Sequence, residues 1–131
     1  MTFLLDTNAY SSLMRGHPEV AGRVRRSERL LISVVVVGEL LFGFRKGTRF
    51  QENLAQLESF MDSSYIELVT VTFTTADRFA RIAAQLRKAG TPIPSNDMWI
   101  AAQAMETGAN LLSFDEHFRL IEGLAWVKPA L

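Results

Sequence analysis

The sequence predicts a three-layer α/β domain, with a mostly parallel central sheet flanked by helices. Three observations predict it. Short apolar runs alternate with stretches of helical periodicity, the order that yields parallel strands joined by helices. The 131 residues are 48% hydrophobic, enough for one core spanning residues 1–131 and too few residues for a second domain of ordinary size. Four carboxylates, Asp6, Glu39, Asp97 and Asp115, each adjoin a strongly apolar run, where core elements begin or end.

Thr2 to Leu5 reads as a buried strand with Asp6 at its carboxyl end. Thr7 or Asn8 can cap a short helix through Tyr10, Leu13 and Met14, which Gly16 ends. Pro18 opens a second helix, where its missing N–H costs nothing, and Val20 and Val24 line one face. Leu30 to Ile32 is a strand, and Ser33 stands as a plausible helix cap. Val34 to Val37 favour a strand by propensity. Periodicity overrules them: Val36, Glu39, Leu40 and Gly43 recur at helical spacing, so a helix is expected from Val34 to Phe44.

Gly43 to Thr48 is the expected joint of a helical hairpin. Its second arm runs from Arg49 to Met61, with Phe50, Leu54, Leu57 and Met61 on one face. Ile66 to Val71 reads as a strand. Thr74 and Asp77 have the spacing of a capping box, and the helix after them turns Phe79, Ile82, Ala83 and Leu86 inward. Gly90 stops it, and Pro92 and Pro94 enforce an extended connection. Ser95 or Asn96 caps an alanine-rich helix ending near Thr107 and Gly108. Asn110 to Leu112 is a strand, Phe114 to Phe118 a short helical turn, and Leu124 to Val127 a last short strand.

Composition narrows the chemistry. The absence of cysteine excludes disulfides, thiolate metal sites and cysteine nucleophiles. His17 and His117 are the only histidines, which disfavours histidine-rich zinc chemistry. The opening residues lack the basic and long apolar regions of a signal peptide, and Leu30 to Val37 is far too short to span a membrane. A soluble cytoplasmic protein without membrane contact is expected. Net charge is zero, yet Arg23, Arg25, Arg26 and Arg29 cluster, as do Arg45, Lys46 and Arg49, and Arg78, Arg81, Arg87 and Lys88. Such patches suit a nucleic-acid backbone, and equally a solvated helix face.

In an open α/β sheet, functional groups gather beyond the carboxyl ends of the strands. Asp6 and Asp115 follow strands, Asp97 sits in the first turn of a helix, and Glu39 lies in a helix with little polar face. All four can meet at one cleft. There they would repel one another unless a cation or protons neutralised them. Hard oxygen ligands favour Mg²⁺ or Mn²⁺ over zinc or copper. Each acid also has a structural role open to it: strand-end turn for Asp6, solvated helix face for Glu39, helix-dipole partner for Asp97, turn cap for Asp115.

The patches Leu5-Asp6-Thr7-Asn8, Ser33 with Glu39-Leu40, Ile93-Pro94-Ser95-Asn96-Asp97-Met98-Trp99-Ile100-Ala101-Ala102, and Leu111-Leu112-Ser113-Phe114-Asp115-Glu116-His117-Phe118 resemble the PIN-domain ribonucleases. The likeness is greatest to the VapC toxins of bacterial and archaeal toxin–antitoxin pairs, and it covers nearly the whole chain. It implies a PIN-like fold and a metal-dependent endoribonuclease. Asp6, Glu39, Asp97 and Asp115 would form the acidic metal site, and Asn8 and Ser113 would orient it. Ser113 stands where threonine is common in the family. The resemblance further implies a VapB-like antitoxin, an RNA substrate and a homodimer. Val36, Val37, Leu40, Leu41, Phe42 and Phe44 could line the antitoxin groove or close the core. Phe50, Leu54, Leu57 and Met61 could serve an interface or the core.

Other chemistries have less support. Ser113 and His117 lack the glycine pattern of a nucleophile elbow, and His117 reads as a surface or structural histidine. The phosphate-loop signature is absent. Asn8 denies Asp6 the second carboxylate of an aspartyl phosphatase. The principal competitor is a noncatalytic PIN-like RNA-binding regulator, with Arg23, Arg25, Arg26 and Arg29 on phosphates. Trp99, in an apolar helix, suits core packing better than base stacking.

Overall fold

The computed structural model describes all residues from Met1 to Leu131. Its strands are β1 (Thr2–Leu5), β2 (Arg29–Ser33), β3 (Ile66–Val69), β4 (Asn110–Leu112) and β5 (Trp126–Val127). Its helices are α1 (Thr7–Met14), α2 (Pro18–Arg26), α3 (Val34–Lys46), α4 (Phe50–Met61), α5 (Phe73–Ala89) and α6 (Ser95–Thr107), with a 3₁₀ turn at Glu116–Leu120. The sheet runs β3-β2-β1-β4-β5, and every pairing is parallel. Successive crossovers move outward from β1 through β2 to β3, then return beyond β1 to β4. Right-handed crossovers therefore set α1–α4 on one face of the sheet and α5 and α6 on the other.

The core follows from the strand composition. Phe3, Leu4 and Leu5 of β1, Leu30, Leu31 and Ile32 of β2, and Leu111 and Leu112 of β4 are all buried. Strands covered on both faces need such continuous apolar runs. Helix α6 is buried over Ile100, Ala101, Ala102, Gln103 and Ala104, and its alanines let it lie close to its neighbours.

Several expected element ends shift. β3 stops at Val69, because it is an edge strand, and Val71 lies beyond it and exposed. The capping box of α5 is formed by Thr72 and Thr75, not Thr74 and Asp77. Thr75 is fully buried and its hydroxyl reaches Glu106 of α6 at 2.5 Å, so tertiary packing fixes the start of the helix. α3 runs two residues past Phe44, and β5 begins at Trp126 rather than Leu124. Trp99 stacks on Phe79 with centroids 4.0 Å apart and planes 20° apart, as packing rather than base stacking required. No helix is long and apolar enough to cross a membrane.

Candidate functional site

The strand order reverses between β1 and β4, and a crevice at such a switch point is where open α/β sheets hold ligands. Asp6 leaves the carboxyl end of β1, and Ser113 leaves that of β4. Leu5 and Leu112 are register partners, so the two residues after them emerge side by side. The Ser113 hydroxyl donates to Asp6 Oδ2. Asp6 Oδ1 accepts from the Ala9 amide at 2.8 Å, so Asp6 itself, rather than Thr7 or Asn8, caps α1.

The other acids reach the same crevice from the middle of α3, the first turn of α6 and the turn after β4. A cleft of about 410 Å³ is walled by Asp6, Thr7, Asn8, Glu39, Asn96, Asp97, Asp115 and His117, among others. Ser33 caps α3 through the Val35 amide at 2.9 Å, setting the helix that carries Glu39. Glu39 is half-buried rather than buried. Its carboxylate is held from two sides, by the Thr7 hydroxyl at 2.6 Å and the Asn96 amide group at 3.3 Å. Asn96 thus serves Glu39, and α6 begins after Pro94 without a side-chain cap. Asp115 caps the 3₁₀ turn through the His117 amide at 2.9 Å and is itself fixed by its own amide donating to Ser113 Oγ at 2.9 Å.

His117 is exposed, as a surface histidine would be, and the sequence reading missed only its place at the site. Its Nδ1 lies 3.2 Å from Asp97 Oδ2 and 3.2 Å from Asp115 Oδ1, inside the acidic cluster rather than on an unrelated surface. Capping by Asp115 turns the next residues into a tight helical step, which carries His117 back over the acids. Thr7 and Asn96 also join the site without having been expected there. Both flank a singled-out acid, and adjacency to Asp6 and Asp97 was the available signal. Ser113 and His117 form no hydrogen bond with each other, in keeping with the absence of a serine nucleophile motif.

Electrostatics mark the cleft as strained toward neutrality. Burial is the main cause that raises the Asp6 carboxyl from 3.8 to about 6, opposed by its bonds from Ser113 and Ala9 and reinforced by Asp115 and Asp97. Burial also raises Asp97, against its contact with His117, while Asp115 and Glu39 push it further up. Ligand atoms of Asp97, Asp115 and His117 all lie within 4.8 Å of one another. Convergent oxygens carrying unfavourable like charge, with one imidazole nitrogen, are a donor set that a divalent cation fits.

The arginine clusters are less free than the sequence suggests. Arg23 pairs with Glu19, Arg29 with Glu67, Arg49 with Glu52 and Arg81 with Asp77. Arg45 lies over the Phe50 ring at 4.4 Å and Lys46 over Phe42 at 4.8 Å.

Known proteins resemble this chain in sequence and in fold. The family profile described as PIN domain matches residues 3–124. Ribonuclease VapC1 of Haemophilus influenzae strain R2866 is 29% identical over 134 aligned residues, covering 96% of each chain. The tRNA(fMet)-specific endonuclease VapC of Salmonella typhimurium strain LT2 is 31% identical over 110 residues, 82% of each chain. Among solved structures, VapBC-1 from nontypeable Haemophilus influenzae matches with a TM-score of 0.87 at 27% identity, covering 98% of both chains. DNA-bound VapBC from Salmonella typhimurium matches with a TM-score of 0.86 at 27% identity, over 98% of both.

Proposed function

The chain belongs to the PIN-domain family, among the VapC ribonucleases, and from that membership we propose that it is a Mg²⁺- or Mn²⁺-dependent endoribonuclease toxin restrained by a VapB-like antitoxin. The observation that carries the catalytic reading is the meeting of Asp6, Glu39, Asp97 and Asp115 in one cleft at the sheet's switch point.

The reaction is hydrolysis of an RNA phosphodiester: water oxygen bonds to phosphorus, the bridging P–O bond breaks, and the departing oxygen gains a proton. Asp6, Glu39, Asp97 and Asp115 would hold the cation, with His117 adding a nitrogen donor. A bound divalent ion offsets negative charge at the phosphate and acidifies the attacking water. The chain's own residues do the rest. Ser113 and Ala9 lock Asp6, Thr7 and Asn96 lock Glu39, and Asp115 orients His117. A carboxylate of the cluster would accept the water proton, and Asp97, whose proton affinity burial raises in the metal-free chain, is the candidate. Asn8 at the cleft wall offers an amide to a phosphate oxygen.

Support for a protein partner lies on α3. Val36 and Leu40 are in the core, whereas Phe42 is 64% and Val34 38% exposed, leaving an apolar stripe. We assign that stripe to the antitoxin, with a basic side chain of the partner entering the acidic cleft. Leu57 is buried in the core, and Phe50, Leu54 and Met61 remain half-exposed for a homodimer contact. Sedimentation that finds only a monomer across the active concentration range would remove the dimer and leave the nuclease.

The deciding experiment is cleavage of total RNA with fragment-end mapping, for wild type and Asp97→Asn, in Mg²⁺, Mn²⁺ or chelator. Discrete cleavage by wild type, lost on chelation and strongly reduced in Asp97→Asn, is expected. Equal cleavage by both proteins in chelator would sink the mechanism. Binding of RNA without cleavage in any divalent ion would favour the noncatalytic regulator.

A further inference from the structure

A second pocket, of about 470 Å³, opens beside the acidic cleft and is walled by Asn8, Ser12, Arg15, His17, Phe114 and Leu131. Asn8 belongs to both, so the two spaces share a wall. The residues responsible are spaced for it: Asn8, Ser12 and Arg15 recur at helical intervals along α1 and its carboxyl-terminal cap, forming one stripe. That stripe leads from the cleft for roughly 10 Å along the helix axis. On the opposite wall, Phe114 sits between Ser113 and Asp115, both part of the acidic site.

The chemistry of this pocket is the reverse of its neighbour's. Arg15 is exposed, makes no ion pair, and its Nη2 donates only to Ser12 Oγ at 3.3 Å. The Phe114 and His17 rings meet edge to face, centroids 5.4 Å apart at 64°. His17 Nδ1 accepts from the Val20 amide at 3.4 Å, so the neutral ring carries its proton on Nε2, available as a donor. An acidic cleft repels a polyanion, and a flanking cation with aromatic surface is what retains a single strand.

We propose that this pocket is a nucleotide subsite for the RNA strand, in which Arg15 takes the phosphate next to the scissile one and Phe114 with His17 takes the flanking base. The inference rests on the reading of the acidic cleft as an RNA-cleaving site. It names how a cleft with net negative side chains holds its substrate.

The test measures binding apart from cleavage, by fluorescence anisotropy of end-labelled bulk transfer RNA in chelator. Wild type, Arg15→Gln and Arg15→Lys are titrated over a range of salt. Arg15 is exposed, so both variants should fold as wild type does. Arg15→Gln should bind about tenfold more weakly and lower the salt slope by about one, and Arg15→Lys should recover most of the loss. In the cleavage assay Arg15→Gln should raise KM with little change in kcat. Wild-type binding and cleavage, with Arg15→Gln equal in affinity, slope and KM, would overturn this inference alone. No RNA binding by wild type in chelator would overturn this inference, and no cleavage in Mg²⁺ or Mn²⁺ would overturn the nuclease reading. Unchanged RNA binding by Arg15→Gln, with weakened capture of the antitoxin, would give the pocket to a protein partner and defeat the proposal.

Discussion

The hydroxyl of Thr7 donates to Oε1 of Glu39 across 2.6 Å, tying the first turn of α1 to the middle of α3. These residues are 32 positions apart and belong to helices that follow different strands. The bond fixes the Glu39 carboxylate against the end of β1, where Asp6 begins its own cap.

Thr7→Val keeps the shape of the side chain and removes this donor. Freed of one partner, Glu39 should sample several rotamers, and a site that needs fixed oxygens loses rate. Partners that orient metal ligands typically carry about 10–100-fold of activity or affinity. Thr7→Val should therefore lower kcat about tenfold with an unchanged circular dichroism spectrum, and Thr7→Ser should restore it. Full activity in Thr7→Val would remove Thr7 from the site.

Asp6 links the site to stability. Its carboxyl stands at about 6 in the fold against 3.8 outside it. The folded chain therefore binds this proton more tightly, and stability falls as pH rises between 3.8 and about 6. Above that window the ionised Asp6 costs on the order of 3 kcal/mol, at ~1.4 kcal/mol per pH unit of displacement. Asn in its place can still accept from Ala9 and can donate to Ser113. Metal-free Asp6→Asn should thus melt higher than wild type at pH 8, and the difference should vanish toward pH 3.5. Mg²⁺ should raise the wild-type melting temperature and narrow the gap. A lower melting temperature for Asp6→Asn at pH 8 without metal would contradict the burial argument.

Sequence pattern carried the element order, because short apolar runs such as Leu30-Leu31-Ile32 leave no choice but a buried strand. It also pointed the four acids toward one cleft, since Asp6 and Asp115 follow strands, Asp97 stands in the first turn of α6 and Glu39 lies on a face of α3 that is otherwise largely apolar. What it missed depends on contacts across the chain. The start of α5 is set by Thr75 reaching Glu106, 31 residues away. The place of His117 depends on Asp97, 20 residues away, and the role of Asn96 on Glu39, 57 residues away. Local periodicity holds no trace of such pairs.

His117 brings a nitrogen to a cluster otherwise built of oxygens. Mg²⁺ prefers oxygen ligands, whereas Mn²⁺ accepts imidazole and binds such mixed sites more tightly. Wild type should bind Mn²⁺ in preference to Mg²⁺ by calorimetry. His117→Asn should lose most of that preference, and the nitrogen coupling to bound Mn²⁺ in its electron spin-echo spectrum should disappear. An unaltered coupling in the variant would show that His117 stays off the ion.

Gln103 is a fully buried polar side chain with both ends engaged. Its Oε1 accepts from the Ser33 hydroxyl, and its Nε2 donates to the Val69 carbonyl at 3.1 Å. One residue of α6 thereby fastens the ends of β2 and β3, and Ser33 in turn caps the helix bearing Glu39. Leucine would fill the space but strand the Ser33 hydroxyl proton and the Val69 carbonyl in the core. A buried group left unpaired costs ~1–3 kcal/mol, so Gln103→Leu should lose roughly 2–4 kcal/mol in urea unfolding. Ser33→Ala alone should lose less, since it leaves only the Val35 amide and one side of Gln103 unserved. Because the two residues share a bond, the double variant should cost less than the sum of the singles, by ~0.5–3 kcal/mol of coupling. Strict additivity would mean that the Ser33–Gln103 bond contributes nothing to holding α6 over the sheet, and that Val69 alone is what Gln103 serves.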